Sequence, residues 1–297
     1  MPQSAVSKKS PPAAALDELR PGQSLELLKE LHILTREGRL NQDSRRKLKQ
    51  VYHLYQFIEP LLDEVQSLRP DPVLVDHGAG KSYLGFILHD LYYRVARAGR
   101  GLQGRIIGVE TRSDLVTQSR ELAARLGFER MEFINLTVQQ SQGATQMPAE
   151  VDIVTALHAC NTATDDAIAF GLKHRARHMV LVPCCQAEVA GVLRQSKALS
   201  VKRTALAELW RHPLHTREFG SQITNVLRCL RLQAHGYSVT VTELVGWEHS
   251  LKNELILASR HKPLHASQAR EAGQRLRDLL QQLGLSALEG RFSVPAA

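Results

Sequence analysis

The segment Val73-Leu74-Val75-Asp76-His77-Gly78-Ala79-Gly80-Lys81-Ser82-Tyr83-Leu84 constrains the fold more than any other. Its three leading apolar residues, two of them β-branched, predict a short buried strand. Asp76, Gly78 and Gly80 predict a tight turn, and from Lys81 the pattern becomes helical. Tyr83, Leu84, Ile87, Leu88, Leu91 and Val95 recur at spacings of one, three and four residues, which makes one stripe of a helix. Glycines at the carboxyl end of a strand let a ligand press against the backbone. This order of elements predicts a ligand site in an open α/β sheet.

Two phosphate-binding patterns fail on this turn. A loop of the Gly-x-x-x-x-Gly-Lys-Ser/Thr type would need glycine at position 75, which is valine. The Gly-x-Gly-x-x-Gly pattern fits Gly78 and Gly80 but meets Tyr83 at its third glycine. What remains is Asp-x-Gly-x-Gly, acid first. That order resembles motif I of the class I S-adenosylmethionine-dependent methyltransferases. The resemblance implies that Asp76, Gly78 and Gly80 receive the amino-acid part of S-adenosylmethionine.

The rest of the chain follows the same plan. Leu16 to Leu68 reads as helical, with Leu25, Leu27, Leu28, Leu31, Ile33 and Leu34 lining one helix. Val51, Leu54, Tyr55, Ile58, Leu61, Leu62 and Val65 line another, which contains Pro60. Within this extension Arg45, Arg46, Lys47 and Lys49 make four cations in five residues, either a solvated face or a contact for a polyanion. Pro70-Asp71-Pro72 then introduces the first strand. Arg105 to Glu110 is the second strand, and an acid ending strand two of a Rossmann-like sheet accepts ribose hydroxyls, so Glu110 is the ribose candidate. Ser113 is a plausible cap of the next helix, and Gly127 closes it. Met131 to Leu136 is strand three, where Asn135 and Thr137 stand in place of the acid that many class I members hold near the adenine. Val151 to His158 is strand four, and Thr162 or Thr164 would cap the helix that begins near Asp165 and Asp166. Those two acids would favour the positive end of that helix. His178 to Val182 is strand five. A helical insertion from about 188 to 236 precedes two strands, Ser238 to Val245 and Leu255 to Ser259, whose short connection predicts an antiparallel hairpin.

Five strands alternating with helices and then a hairpin predict an α/β fold, the Rossmann-like seven-stranded sheet of a class I methyltransferase. The expected boundaries are a disordered tail over 1–15, a helical extension over 16–70, the methyltransferase domain over 71–262, and a C-terminal helix and tail over 263–297.

Composition adds limits. Hydrophobic residues make up 43% and charged residues 23%, as in a globular domain. No apolar run approaches the roughly 18 residues of a membrane helix. The Pro/Ser/Ala-rich start lacks an apolar signal core, and four cysteines form neither Cys-x-x-Cys pairs nor a disulfide framework, which together predict a cytoplasmic protein. A net charge of +8 permits an anionic partner such as RNA. No spacing demands a metal.

Two segments meet at the ends of strands four and five: Leu157 to Asp165, and Val182-Pro183-Cys184-Cys185. They are similar to a methyltransferase subgroup with His-x-Cys-Gly-x-x-Thr-Asp after strand four and Cys-Cys after strand five, which includes a tRNA ribose 2′-O-methyltransferase. This chain departs from that pattern at Asn161, where glycine or aspartate is commoner. Three roles stay open. His158, beside the cofactor, would act as general base on a hydroxyl or amine. Cys184 or Cys160 would attack C6 of a pyrimidine, given a stabilised thiolate. Or the cysteines pack beneath the cofactor and His158 makes a structural hydrogen bond. The expected activity is S-adenosylmethionine-dependent methyl transfer to RNA; a protein or small-molecule acceptor, or a non-catalytic cofactor-binding module, are the alternatives.

Overall fold

Apolar runs too short for helices become the strands of one sheet in the computed structural model, which describes residues 18–96, 103–157, 159, 161–184, 186–195, 208–209, 211–244, 254–260 and 262–295. The parallel strands are β1 (Val73–His77), β2 (Arg105–Glu110), β3 (Met131–Asn135), β4 (Ile153–Leu157) and β5 (His178–Val182). β6 (Ser238–Glu243) and β7 (Glu254–Ser259) form the expected antiparallel pair, and β7 docks antiparallel on β5. The order is β3-β2-β1-β4-β5-β7-β6, so the chain reverses its direction of travel between β1 and β4. In an open sheet of this kind the carboxyl ends of the strands at that reversal frame the ligand crevice. β1 and β5 are buried at every position, and Val73 to Val75 and Met179 to Val182 within them read as continuous apolar runs.

Helices cover both faces. α1 (Leu25–Glu30), α2 (Gln42–Leu68), α3 (Tyr83–Leu88) and α4 (Ser113–Leu126) pack on one face, where Leu74 and Ile106 meet Leu54, Ile58, Ile87 and Val116. α5 (Val138–Ser141), α6 (Ala163–Lys173) and α8 (Pro213–Ala234) pack on the other, where Val75 and Ile107 meet Val138, Ile168 and Leu232. The alternation of Leu74 and Val75 between faces follows from the two-residue period of a strand. α7 (Glu188–Gln195) and α9 (Ala266–Gln282) join α8 in a third cluster through Leu193, Leu227, Leu276 and Leu280. No helix among the described residues is long and apolar enough to cross a membrane.

The N-terminal helices share the core of the sheet. Asn41 caps α2 by accepting from the Ser44 amide at 2.8 Å. Asp90, fully buried in the π-helical turn that continues α3, accepts from the Ser24 amide at 3.0 Å, and Arg94 donates to the Gly22 carbonyl at 2.7 Å. Tyr92 donates to Asp63 at 3.0 Å, so α2 is bound to the same turn.

Three local expectations are corrected. β1 runs on through Asp76 and His77, which pair with Gly108 and Val109 of β2. α3 starts at Tyr83 rather than Lys81, because Ser82 has a left-handed backbone with φ of 53° and cannot be a helical residue. Ser113 is the first residue of α4 and not its cap; Arg112 occupies the cap position without a side-chain bond. Gly127 closes α4 as expected, with φ of 68°.

Because α2 belongs to this core, Ile58→Ala, at a position with no exposure, is expected to cost about 3 kcal/mol. Urea denaturation should show one cooperative transition at a lower midpoint. Two separate transitions would contradict a shared core.

Candidate active site

Asp76 and Glu110 end adjacent strands, and the turn Gly78 to Ser82 passes between them. Asp76 is 2% exposed. Its Oδ1 accepts from the Thr155 hydroxyl of β4 at 2.6 Å. Burial pushes its carboxyl up to about 7, the neighbouring Glu110 charge adds to the rise, and the Thr155 bond works against it. Glu110 behaves oppositely. Its partial burial disfavours charge, but donation from the Arg112, Gly80 and Thr111 amides and the Thr111 hydroxyl outweighs that and holds it below the usual carboxylate range.

The turn is built to approach a ligand. Gly78 and Gly80 have φ of 67° and 56°, which glycine adopts without strain. The Gly78 and Ala79 amides donate to the Val109 carbonyl, and the Gly80 amide donates to Glu110 Oε2 at 2.8 Å. A Cβ built on Gly80 would meet nothing within 4 Å, so the face of the turn is open. On β2, a Cβ at Gly108 would lie 2.9 Å from Phe133 and 3.3 Å from Ala79, so a side chain there would displace the turn.

This arrangement disfavours an anion such as phosphate and favours a cationic, hydroxyl-bearing ligand. Two acids flank the turn, and one of its amides is already given to a carboxylate. Glu110 Oε1 takes three donors, from the amide and hydroxyl of Thr111 and the amide of Arg112, whereas Oε2 takes Gly80 alone among the bonds described. Each carboxylate oxygen offers about two acceptor positions, so Oε2, with one described donor, keeps one open to a hydroxyl such as a ribose carries. Asn135, exposed at the end of β3, donates its amide to the Glu110 and Thr111 carbonyls at 2.9 and 2.8 Å. The side chain pins the strand-two turn in the shape that presents Glu110. Asp76, Gly78, Gly80, Glu110 and Asn135 therefore lie together along the ends of β1, β2 and β3.

The segments after β4 and β5 meet beside this group. Ala159 is buried and packs on Gly78, 3.7 Å from a Cβ built there. Cys184 is half-buried just past β5. His158, Cys160 and Cys185 lie outside the described residues. Thr164 donates to the Ala159 carbonyl at 2.6 Å, and Thr162 makes no side-chain cap, so neither threonine caps α6 in the expected way. Asp165 is no mere dipole partner. It forms a buried two-pronged pair with Arg228 of α8, at 2.8 and 2.7 Å. Sequence reasoning missed Arg228 and its neighbours Asn225 and Gln186, because nothing local marks a partner 63 residues away. Arg45, Arg46, Lys47 and Lys49 are all exposed on the first two turns of α2. Arg45 pairs with Glu18 at 2.9 Å, Arg46 approaches Asp43 at 3.9 Å, and the Lys47 ammonium lies 6.0 Å from the centre of the Tyr83 ring. No cluster of three or more metal-binding side chains occurs among the described residues.

Residues 46–192, from α2 into α7, match the model of a methyltransferase domain. The match places a methyltransferase domain over about half of the chain, on the Rossmann-like seven-stranded sheet. A Bos taurus protein described as a glutathione S-transferase C-terminal domain-containing protein is 24% identical over 240 residues, 75% of this chain and 34% of its own length. The chain thus spans about a third of the length of the curated relatives it matches. Among solved structures, a magnesium protoporphyrin IX methyltransferase from Synechocystis, with bound S-adenosylhomocysteine, is 15% identical with a TM-score of 0.45, covering 80% of this chain and 95% of that one. An rRNA methylase from Streptococcus thermophilus is 10% identical with a TM-score of 0.42, covering 68% of this chain and 93% of that one.

The raised Asp76 carboxyl has a consequence for the ligand-free protein. Between the unfolded carboxylate value near 4 and the folded value near 7, the folded chain holds a proton that the unfolded chain has lost. Stability from Asp76 therefore falls as pH rises through that window, by up to about 1.4 kcal/mol per unit. His77 opposes it. Burial, aided by His174, lowers its imidazole to about 3, so the unfolded chain takes the extra proton between about 3 and 6.5 and stability rises with pH there. Urea midpoints of the parent and Asp76→Asn separate the two. The variant's advantage is expected to grow from pH 5 to 7 and level off above. An advantage independent of pH would refute the buried, protonated Asp76.

Proposed function

We propose that this methyltransferase acts on RNA. The observation that carries the reading is the exposed row of Arg45, Arg46, Lys47 and Lys49 on α2, brought beside the cofactor turn through Lys47 and Tyr83. Exposed ion pairs such as Arg45 with Glu18 are worth little, so these cations stay available to phosphates. The net charge of +8 acts in the same direction.

In this reading Asp76 and the glycine turn hold the amino-acid part of the cofactor, Glu110 the ribose, and Asn135 the shape of the adenine side. The bound cofactor supplies an activated sulfonium methyl. The chain's own work is positioning an acceptor in line and excluding water. His158 follows the last residue of β4 and takes the role of general base for a hydroxyl or amine acceptor. Cys184 sits past β5 as the alternative nucleophile, and its chemistry would require a thiolate.

The test is methyl transfer from labelled S-adenosylmethionine into total RNA, with nuclease-treated RNA and protein extract in parallel. Nuclease-sensitive label that is lost in His158→Ala is expected. Label confined to protein or small molecules would overturn the RNA reading. Replacing Arg45, Arg46, Lys47 and Lys49 together by glutamate is expected to weaken RNA binding. It should also reduce the slope of log affinity against log salt by about 3, at roughly 0.7 per lost phosphate contact. An unchanged slope would place the RNA elsewhere.

A further inference from the structure

We infer that Arg228 is a positioning residue of the methyl-transfer site, a latch that holds the segments after β4 and β5 in one arrangement. The inference rests on the reading above that His158, after β4, and Cys184, after β5, serve the methyl transfer.

All three guanidinium nitrogens are engaged. Nε and Nη2 hold the two oxygens of Asp165, Nη2 also reaches the Asn161 carbonyl at 2.9 Å, and Nη1 donates to Asn225 Oδ1 at 3.1 Å. Asn161 sits in the turn after β4 with φ of 50°, a conformation that asparagine tolerates better than most residues and glycine adopts freely. Its own Oδ1 accepts from the Ala187 amide, past β5, at 3.2 Å. Gln186 adds a second tie by donating to Asn225 Oδ1 at 2.7 Å. Asn225, its oxygen doubly occupied, turns its amide to Glu254 at the start of β7, at 2.7 Å. One buried guanidinium thus fixes the left-handed turn after β4 directly, and through Asn161 and Asn225 it fixes the segment after β5.

Stability alone does not explain the arrangement. Arg228 and Asp165 are 1% and 2% exposed. Burying two charges costs several kcal/mol per ion, and apolar replacements of such pairs are often neutral or stabilising. What apolar residues cannot supply is the grip on the Asn161 carbonyl and the Asn225 amide. A fork with fixed donors sets distances in a way that packing does not.

The full chain carrying Arg228→Met with Asp165→Leu removes both charges of the latch together, and the buried Arg231 beside them keeps Asp166 as a counter-charge. Its melting temperature and its calorimetric affinity for S-adenosylmethionine are expected to stay close to the parent's. Amide exchange over 159–162 and 184–187 should quicken by about tenfold. Single-turnover methyl transfer into RNA should fall by about 100-fold, with the KM for cofactor unchanged. Arg228→Lys keeps the charge but not the fork, and should lie between parent and double variant. Unchanged exchange in both segments of a folded double variant would overturn the proposal. Should the double variant fail to fold, Arg228→Lys decides. Faster exchange confined to the two segments supports the latch, and faster exchange throughout the chain, or in neither segment, overturns it. A parent that transfers no methyl to RNA would count against the RNA reading alone, because exchange still tests the latch.

Discussion

A carboxyl group buried at the end of β1, with one hydroxyl as its described donor, is the constraint on which the site depends. Asp76 is placed there by strand pairing on both sides, with Gly108 of β2 and Thr155 of β4 as its register partners. Burial makes its charged form unfavourable in the empty protein. A ligand that brings a positive charge to it relieves that penalty. Glu110, held in its charged form by backbone amides, does not share the difficulty; it ties Gly80 to the turn after β2 and keeps one oxygen open to a ligand hydroxyl. Two acids with unlike surroundings therefore have unlike tasks.

The surrounding fold keeps these groups in register. Gly108 allows Ala79 to cross β2, Asn135 clamps the turn after β2, and Ala159 closes against Gly78. Behind them the N-terminal helices cover one face of the sheet and bring Lys47 to Tyr83, the first residue of α3. On the side of β4 and β5 the buried Arg228 cluster does what the glycine turn does on the side of β1. It replaces loop freedom with fixed hydrogen bonds.

Much of this was legible in the sequence, for physical reasons. Parallel strands buried on both faces announce themselves as apolar runs, so β1, β2, β4 and β5 could be read directly, and the hairpin followed from its short connection. Asp76, Gly78, Gly80 and Glu110 were expected at strand ends and in the turn between them, and they lie there because the end of an apolar run and the glycines mark those places. What was hidden depends on distant partners or on local backbone shape. The left-handed Ser82 delays α3, and no side-chain pattern signals that. Asp165 looks like an ordinary helix-start acid until Arg228 folds onto it. The unusual Asn161 became intelligible only through its φ of 50°.

The most direct test of the account is calorimetric titration with S-adenosylmethionine at pH 6 and pH 8, in buffers of different ionisation enthalpy, with Asp76→Asn and ATP as controls. If Asp76 receives the cofactor's ammonium, binding at pH 6 must release a proton from its carboxyl, affinity must rise toward pH 8, and the Asn variant must lose both effects. ATP should not bind. Binding of S-adenosylmethionine that is indifferent to pH and to Asp76→Asn, or binding of ATP in its place, would contradict the assignment of this turn as the cofactor site.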